Sequence, residues 1–129
     1  MRVSVRCAAV VLAAVPAFAL GGCGGGGGSS FKEPTGAAIS TITIDSGNLF
    51  FKPDKITVDK AGIYDVELKN VESGSHTLVF DDVKGFKLEV TGDGSTDAKK
   101  VDLSAGKHPF HCTIPGHAEA GMKGTLTVK

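Results

Sequence analysis

Three side chains near the C-terminus, Cys112, His117 and Met122, set out a thiol, an imidazole and a thioether within eleven residues. Thiolate and thioether are soft donors and imidazole is intermediate, a set that suits copper better than magnesium, calcium or manganese. Two His and one Cys around a copper ion, with a weaker axial Met, make a site that passes single electrons. The stretch Gly106–Thr125 supplies three of those four donors and leaves a second histidine to be found.

The chain has four histidines, at 76, 108, 111 and 117. Successive strand residues point to opposite faces, so if Cys112 points inward His111 points away from it. His108 is in phase with Cys112 but about 13 Å along the strand at roughly 3.3 Å per residue. Neither can easily share the metal, and both are taken as surface residues of the outer strand face. His76 remains, at the start of an apolar strand and 36 residues before Cys112, far enough for a separate strand to return it to the loop. A Cys–His nucleophile pair is the competing chemistry, but no accompanying Asp, Asn or oxyanion signature is present and Met122 would be unexplained, so no enzyme activity is expected.

The elements that must hold these donors read as all β. Ile42 and Ile44 alternate with Thr41, Thr43 and Asp45; Ile56 and Val58 with Lys55, Thr57 and Asp59; Tyr64, Val66 and Leu68 with Asp65, Glu67 and Lys69. This period-2 pattern describes strands with one buried face. Further strands are expected at His76–Phe80, Phe86–Val90, Ala98–Leu103, Lys107–Cys112 and Gly124–Val128, separated by Gly-containing turns. No window of ten residues has helical amphipathicity. About eight short strands make a sandwich or small barrel. The expected core is Ile42, Ile44, Ile56, Val58, Val66, Leu68, Leu78, Phe80, Val101, Leu103, Phe110, Leu126 and Val128, without Trp.

The first residues do not read as fold. Arg2 and Arg6 precede an apolar run from Ala8 to Leu20, the layout of a secretory signal over residues 1–22. It ends Leu20-Gly21-Gly22-Cys23, which resembles a bacterial lipobox with Cys23 as the lipid-bearing first mature residue. Residues 23–37 then form a Gly/Ser-rich tether, and residues 38–129 the domain. Cys7 leaves with the signal and Cys23 is lipidated, so Cys112 has no partner for a disulfide within an exported domain. Loss of Arg2 and Arg6 leaves 12 basic against 14 acidic residues, a balance of −2. That near-neutrality excludes a nucleic-acid partner as the working assumption.

Taken together, Phe51-x-Pro53, Ile56-x-Val58, Gly62, Asn70, His76, Phe110-x-Cys112-x4-His117-x4-Met122-x-Gly124 and the closing strand 125–129 resemble the cupredoxins, the blue type 1 copper proteins of the plastocyanin/azurin family. The loop spacing is closest to rusticyanin and auracyanin. The resemblance implies a Greek-key β-sandwich or barrel, one copper ion cycling between Cu(I) and Cu(II), equatorial His76, Cys112 and His117, and axial Met122. Together with the lipobox-like segment at Cys23, it implies a monomeric, membrane-tethered carrier of single electrons between extracytoplasmic redox partners that dock near His117. A copper-buffering or copper-delivering lipoprotein without a redox partner is the alternative; it would ordinarily bring exposed Met- or His-rich tracts, which are absent. Plastocyanin and azurin carry an Asn after the upstream His that ties the two ligand loops together. Thr77 stands there instead, which leaves the strength of that tie, and the reduction potential it tunes, open.

Overall fold

The computed structural model describes residues 30–129; the expected signal segment, Cys23 and the glycine run lie outside them. Nine strands follow in order: β1 (Thr41–Gly47), β2 (Phe50–Lys52), β3 (Lys55–Val58), β4 (Gly62–Asn70), β5 (Ser75–Phe80), β6 (Leu88–Thr91), β7 (Thr96–Leu103), β8 (Gly106–His111) and β9 (Lys123–Val128). They form two sheets, ordered β2-β1-β4-β7 and β3-β9-β8-β5-β6. The pairs β1–β4 and β3–β9 are parallel and the others antiparallel. No helix among the described residues is long and apolar enough to cross a membrane.

Alternation explains the layering. In β4, Tyr64, Val66, Leu68 and Asn70 are buried while Asp65, Glu67 and Lys69 face outward. Ile42 and Ile44 of β1 and Val101 and Leu103 of β7 complete that inner face. Leu78, Phe80, Leu88, Val90, Phe110, Leu126 and Val128 of the second sheet lie in the same core. Apolar side chains stacked between two such faces are the main source of stability in a sandwich.

Eight of the strands stand where alternation predicts them. The ninth, β2, is only three residues long, too short to display a period. Its Phe51 is buried and meets the Phe110 ring edge-on, with ring centres 5.5 Å apart. The core also takes in Tyr64, Phe86, Leu88 and Val90, none of them in the expected set. Tyr64 is tolerated there because its hydroxyl donates to the Lys60 carbonyl at 2.6 Å. Ile56 and Val58 are a correction in the other direction: β3 is the outer strand of its sheet, and both are only partly buried.

Residues 31–37, expected as free tether, lie against the domain. The Phe31 ring packs edge-on against Phe86 at 5.2 Å. The Glu33 carboxylate accepts the Lys100 backbone N–H at 2.6 Å, and Lys100 Nζ donates to the Gly36 carbonyl at 3.2 Å. The physical reason is that β7 is an outer strand, whose outward N–H groups lack a neighbouring strand and take whatever acceptor covers them.

Candidate metal centre

Two loops at one end of the sandwich carry the candidate donors. The first leads into β5, whose second residue is His76. Asn70, fully buried at the end of β4, donates through Nδ2 to the carbonyls of Gly74 (3.0 Å) and Gly92 (2.9 Å). The Asn48 N–H donates to Glu72 Oε2 at 2.7 Å. These bonds hold the turn 71–75, so His76 starts its strand from a fixed position.

The second loop runs from Cys112, just past β8, to Met122, just before β9. The Cys112 N–H donates to the Met122 carbonyl at 3.1 Å, and the Met122 N–H to the His117 carbonyl at 3.0 Å. Further bonds from His117 N to Ile114 O (3.1 Å), Ala120 N to Gly116 O (3.2 Å) and Gly121 N to Ala118 O (3.0 Å) fold it into consecutive turns. Gly116 and Gly121 have φ of +85° and +111°, conformations open to glycine at little steric cost. They bracket His117 and lead into Met122. At the loop's exit Gly124 lies against the Phe110 ring and the Asp54 carbonyl, where a Cβ would collide.

The two loops bring His76, Cys112 and His117 together, with one donor atom from each lying within 4.8 Å of the others. Cys112 Sγ is 3.6 Å from His117 Nδ1, and the two imidazole rings are 5.4 Å apart, inclined at 49°. Cys112 and Met122 are buried, His76 is 4% exposed and His117 is half-buried. Met122 is tied by its backbone to both Cys112 and His117.

One observation tests whether a soft metal fits. Both ring nitrogens of His76 are buried and neither has a hydrogen-bond partner among the described residues. Buried polar atoms are nearly always paired, so an orphaned imidazole beside a thiol and a second imidazole matches a donor meant for a metal. Burial, and then the neighbouring His117, hold the His76 pKa below its ordinary 6.5, while Glu72 pulls weakly the other way. The neutral form that ligation requires is thereby favoured. Imidazole, thiol and thioether together fit copper.

Sequence reasoning left the tie between the loops open, and the structure supplies one. The register that pairs Val79 with His111 and Phe80 with Phe110 continues to Thr77 opposite Thr113. The Thr113 N–H donates to Thr77 Oγ1 at 2.8 Å, the two threonine hydroxyls are 2.7 Å apart, and Thr77 Oγ1 donates to Cys112 Sγ at 3.7 Å. Thr77 stood on sequence at the position of the tie, with its strength open; Thr113 was not a candidate, and its only signal was adjacency to Cys112.

His111 is half-exposed as expected and bonds through Nδ1 to Asp81 Oδ1 at 2.6 Å. It lines a cleft of about 500 Å³ beside the loop with Asp81, Ala118, Glu119 and Lys123. His108 is not at the surface, contrary to expectation; it is 4% exposed. Its Nδ1 reaches Asp82 Oδ2 at 2.6 Å and its Nε2 the Ser104 carbonyl at 2.7 Å. Either oxygen can accept the ring N–H, which gives the buried imidazole a hydrogen-bond partner that would otherwise be lacking in the interior.

Comparison with known proteins points the same way. Residues 38–129 match the model of the family described as copper binding proteins, plastocyanin/azurin family. A plastocyanin of the fern Dryopteris crassirhizoma is 34% identical over 97 residues, spanning 64% of this chain and 91% of the fern protein. A blue copper protein of Pisum sativum is 40% identical over 67 residues, 46% of this chain; the chain covers only 34% of that protein's length. Among solved structures, a reduced auracyanin of the photosynthetic bacterium Roseiflexus castenholzii shares the fold, with TM-score 0.62, 23% identity, and 72% of this chain and 99% of that one covered. A mutant fern plastocyanin superposes with TM-score 0.54 and 31% identity over 68% of this chain and all of the other. The chain belongs to the plastocyanin/azurin family of copper-binding proteins, the cupredoxins, and its cofactor is copper.

Proposed function

We propose that this protein is a mononuclear blue copper carrier of single electrons, with His76, Cys112 and His117 as the main ligands and Met122 as the weaker one. The observation that carries the reading is the convergence of three donors within 4.8 Å, one of them a buried imidazole with no hydrogen-bond partner among the described residues. Bound copper supplies a one-electron couple between Cu(II) and Cu(I). The protein's part is to hold a fixed donor cage, so that little rearranges when the electron moves. Buried Cys112 and Met122 exclude water, and hydrogen bonds across both loops keep the donors in place.

The half-buried His117 edge is the electron port in this reading. Pro115, Gly116, Ala120 and Gly121 are exposed around it, with Ile114 and Ala118 partly so, a small apolar rim of the kind that suits brief, weak docking. Residues 1–22 act as an export signal and Cys23 as a lipid anchor, with the domain facing redox partners outside the cytoplasm.

Reversible one-electron voltammetry of the copper-loaded protein tests the reading. A carrier gives a reversible wave, whereas a buffer or delivery protein loses its metal on reduction or gives no wave. Ala118→Glu should slow exchange with a redox partner while leaving the copper colour intact; unchanged kinetics would move the port away from His117.

A further inference from the structure

We infer that Thr113 and Thr77 form a directional hydroxyl relay to the Cys112 sulfur, in which the exposed Thr113 sets how strongly Thr77 holds that sulfur. The inference rests on the copper-site reading above and concerns only how these side chains act on the thiolate.

Counting donors and acceptors fixes the direction. A threonine hydroxyl has one hydrogen and two lone pairs. At Thr77 Oγ1 one lone pair accepts the Thr113 backbone N–H at 2.8 Å. Two neighbours remain, the Thr113 hydroxyl at 2.7 Å and Cys112 Sγ at 3.7 Å. A thiolate sulfur cannot donate, so it can only take the Thr77 hydrogen. The second Thr77 lone pair is then free for the Thr113 hydroxyl, and the chain runs Thr113 O–H to Thr77 O–H to sulfur. The opposite arrangement, Thr77 donating to Thr113, leaves the anionic sulfur without this donor. Hydrogen bonds to ionised acceptors are roughly twice as strong as neutral ones, so the first arrangement wins whenever Cys112 is a thiolate.

Consecutive hydrogen bonds polarise one another, by about 10–30% per bond. The Thr113 hydroxyl therefore strengthens a bond to sulfur that it does not itself make. Thr77 is 5% exposed and Thr113 lies at the surface, so the relay connects the sulfur to the protein exterior. Donation to the sulfur draws electron density from the thiolate and favours the reduced metal, since hydrogen bonding around this sulfur tunes the potential. Thr113 is a positioning residue in this scheme.

The test is the midpoint potential and the thiolate-to-copper absorption of the full chain loaded with copper, in wild type, Thr113→Val, Thr113→Ala, Thr113→Ser, Thr77→Val and the Thr77→Val/Thr113→Val double variant. The relay predicts a negative shift for Thr113→Val, the same sign for Thr113→Ala, and a wild-type midpoint for Thr113→Ser. It predicts a larger negative shift for Thr77→Val and no additional shift when Thr113→Val is added to it, the non-additivity expected of groups acting in series. An unchanged midpoint in Thr113→Val, or a positive shift because Thr77 had been giving its hydrogen to Thr113, overturns the relay while leaving the copper site standing. A wild-type protein without any thiolate-to-copper band would overturn both.

Discussion

A ligand held ready for a metal is a burden to the metal-free fold, and His76 makes that burden measurable. A neutral imidazole has one donor and one acceptor, and both nitrogens of His76 are buried without a partner among the described residues. Each unsatisfied buried group costs about 1–3 kcal/mol. Replacing His76 by leucine removes both polar atoms at similar volume, and the imperfect shape match costs back less than about 1.5 kcal/mol. Taking the lower half of the first range, the metal-free His76→Leu protein should be more stable than metal-free wild type by about 1–2 kcal/mol. For a domain of this size that raises the melting temperature by about 5–15 °C. Copper reverses the order: at a free concentration a thousand times its Kd it adds about 4 kcal/mol to wild type, and far less to a protein lacking one ligand. Urea unfolding with chelator and with copper reads both numbers. A metal-free variant less stable than metal-free wild type by a kilocalorie or more would refute the reasoning that His76 is strained by its lack of partners, as would an undiminished gain from copper.

Other substitutions and conditions separate the fold from the site. Phe110→Ala removes a 1% exposed ring that meets Phe51 and Phe80 two residues before Cys112, and should cost about 3–5 kcal/mol by denaturant titration. Asn70→Ala takes away the donor shared by the Gly74 and Gly92 carbonyls and should cost about 2 kcal/mol; because it frees the turn before His76, copper should also dissociate faster in a stopped-flow chelator assay. The pH dependence follows from His76. Its pKa is lowered in the folded chain relative to 6.5, so the unfolded chain binds more protons between the two values. Stability of the metal-free protein is therefore greatest above pH 6.5 with respect to this group, and falls as pH drops from 6.5 to the folded value. Thermal melts of wild type and His76→Leu between pH 4 and 8 check this, and the variant should lack that component.

Much of this architecture is written in local pattern. The alternation in β4, Tyr64-Asp65-Val66-Glu67-Leu68-Lys69, specifies a strand and its inner face without reference to anything distant. Cys112, His117 and Met122 announce themselves by type and spacing, and His76 emerges because alternation removes His111 and distance along the strand removes His108. What the pattern could not carry was partnership across the sheets. His108 reads as a surface residue until Asp82 and the Ser104 carbonyl are seen to satisfy its ring. Residues 31–37 read as tether because their composition does, yet Glu33 finds an N–H on β7 that is 67 positions away. Thr77 reads as a short substitute for an amide until the β5–β8 register sets it opposite Thr113. Each of these three turns on a hydrogen bond to a segment at least 26 positions away.

The measurement that bears most directly on the central claim is the visible spectrum of the purified protein titrated with Cu(II). The account predicts an intense blue or green thiolate-to-copper band that saturates at one copper per chain and is lost in Cys112→Ser. A colourless complex, or a band that survives Cys112→Ser, would contradict it.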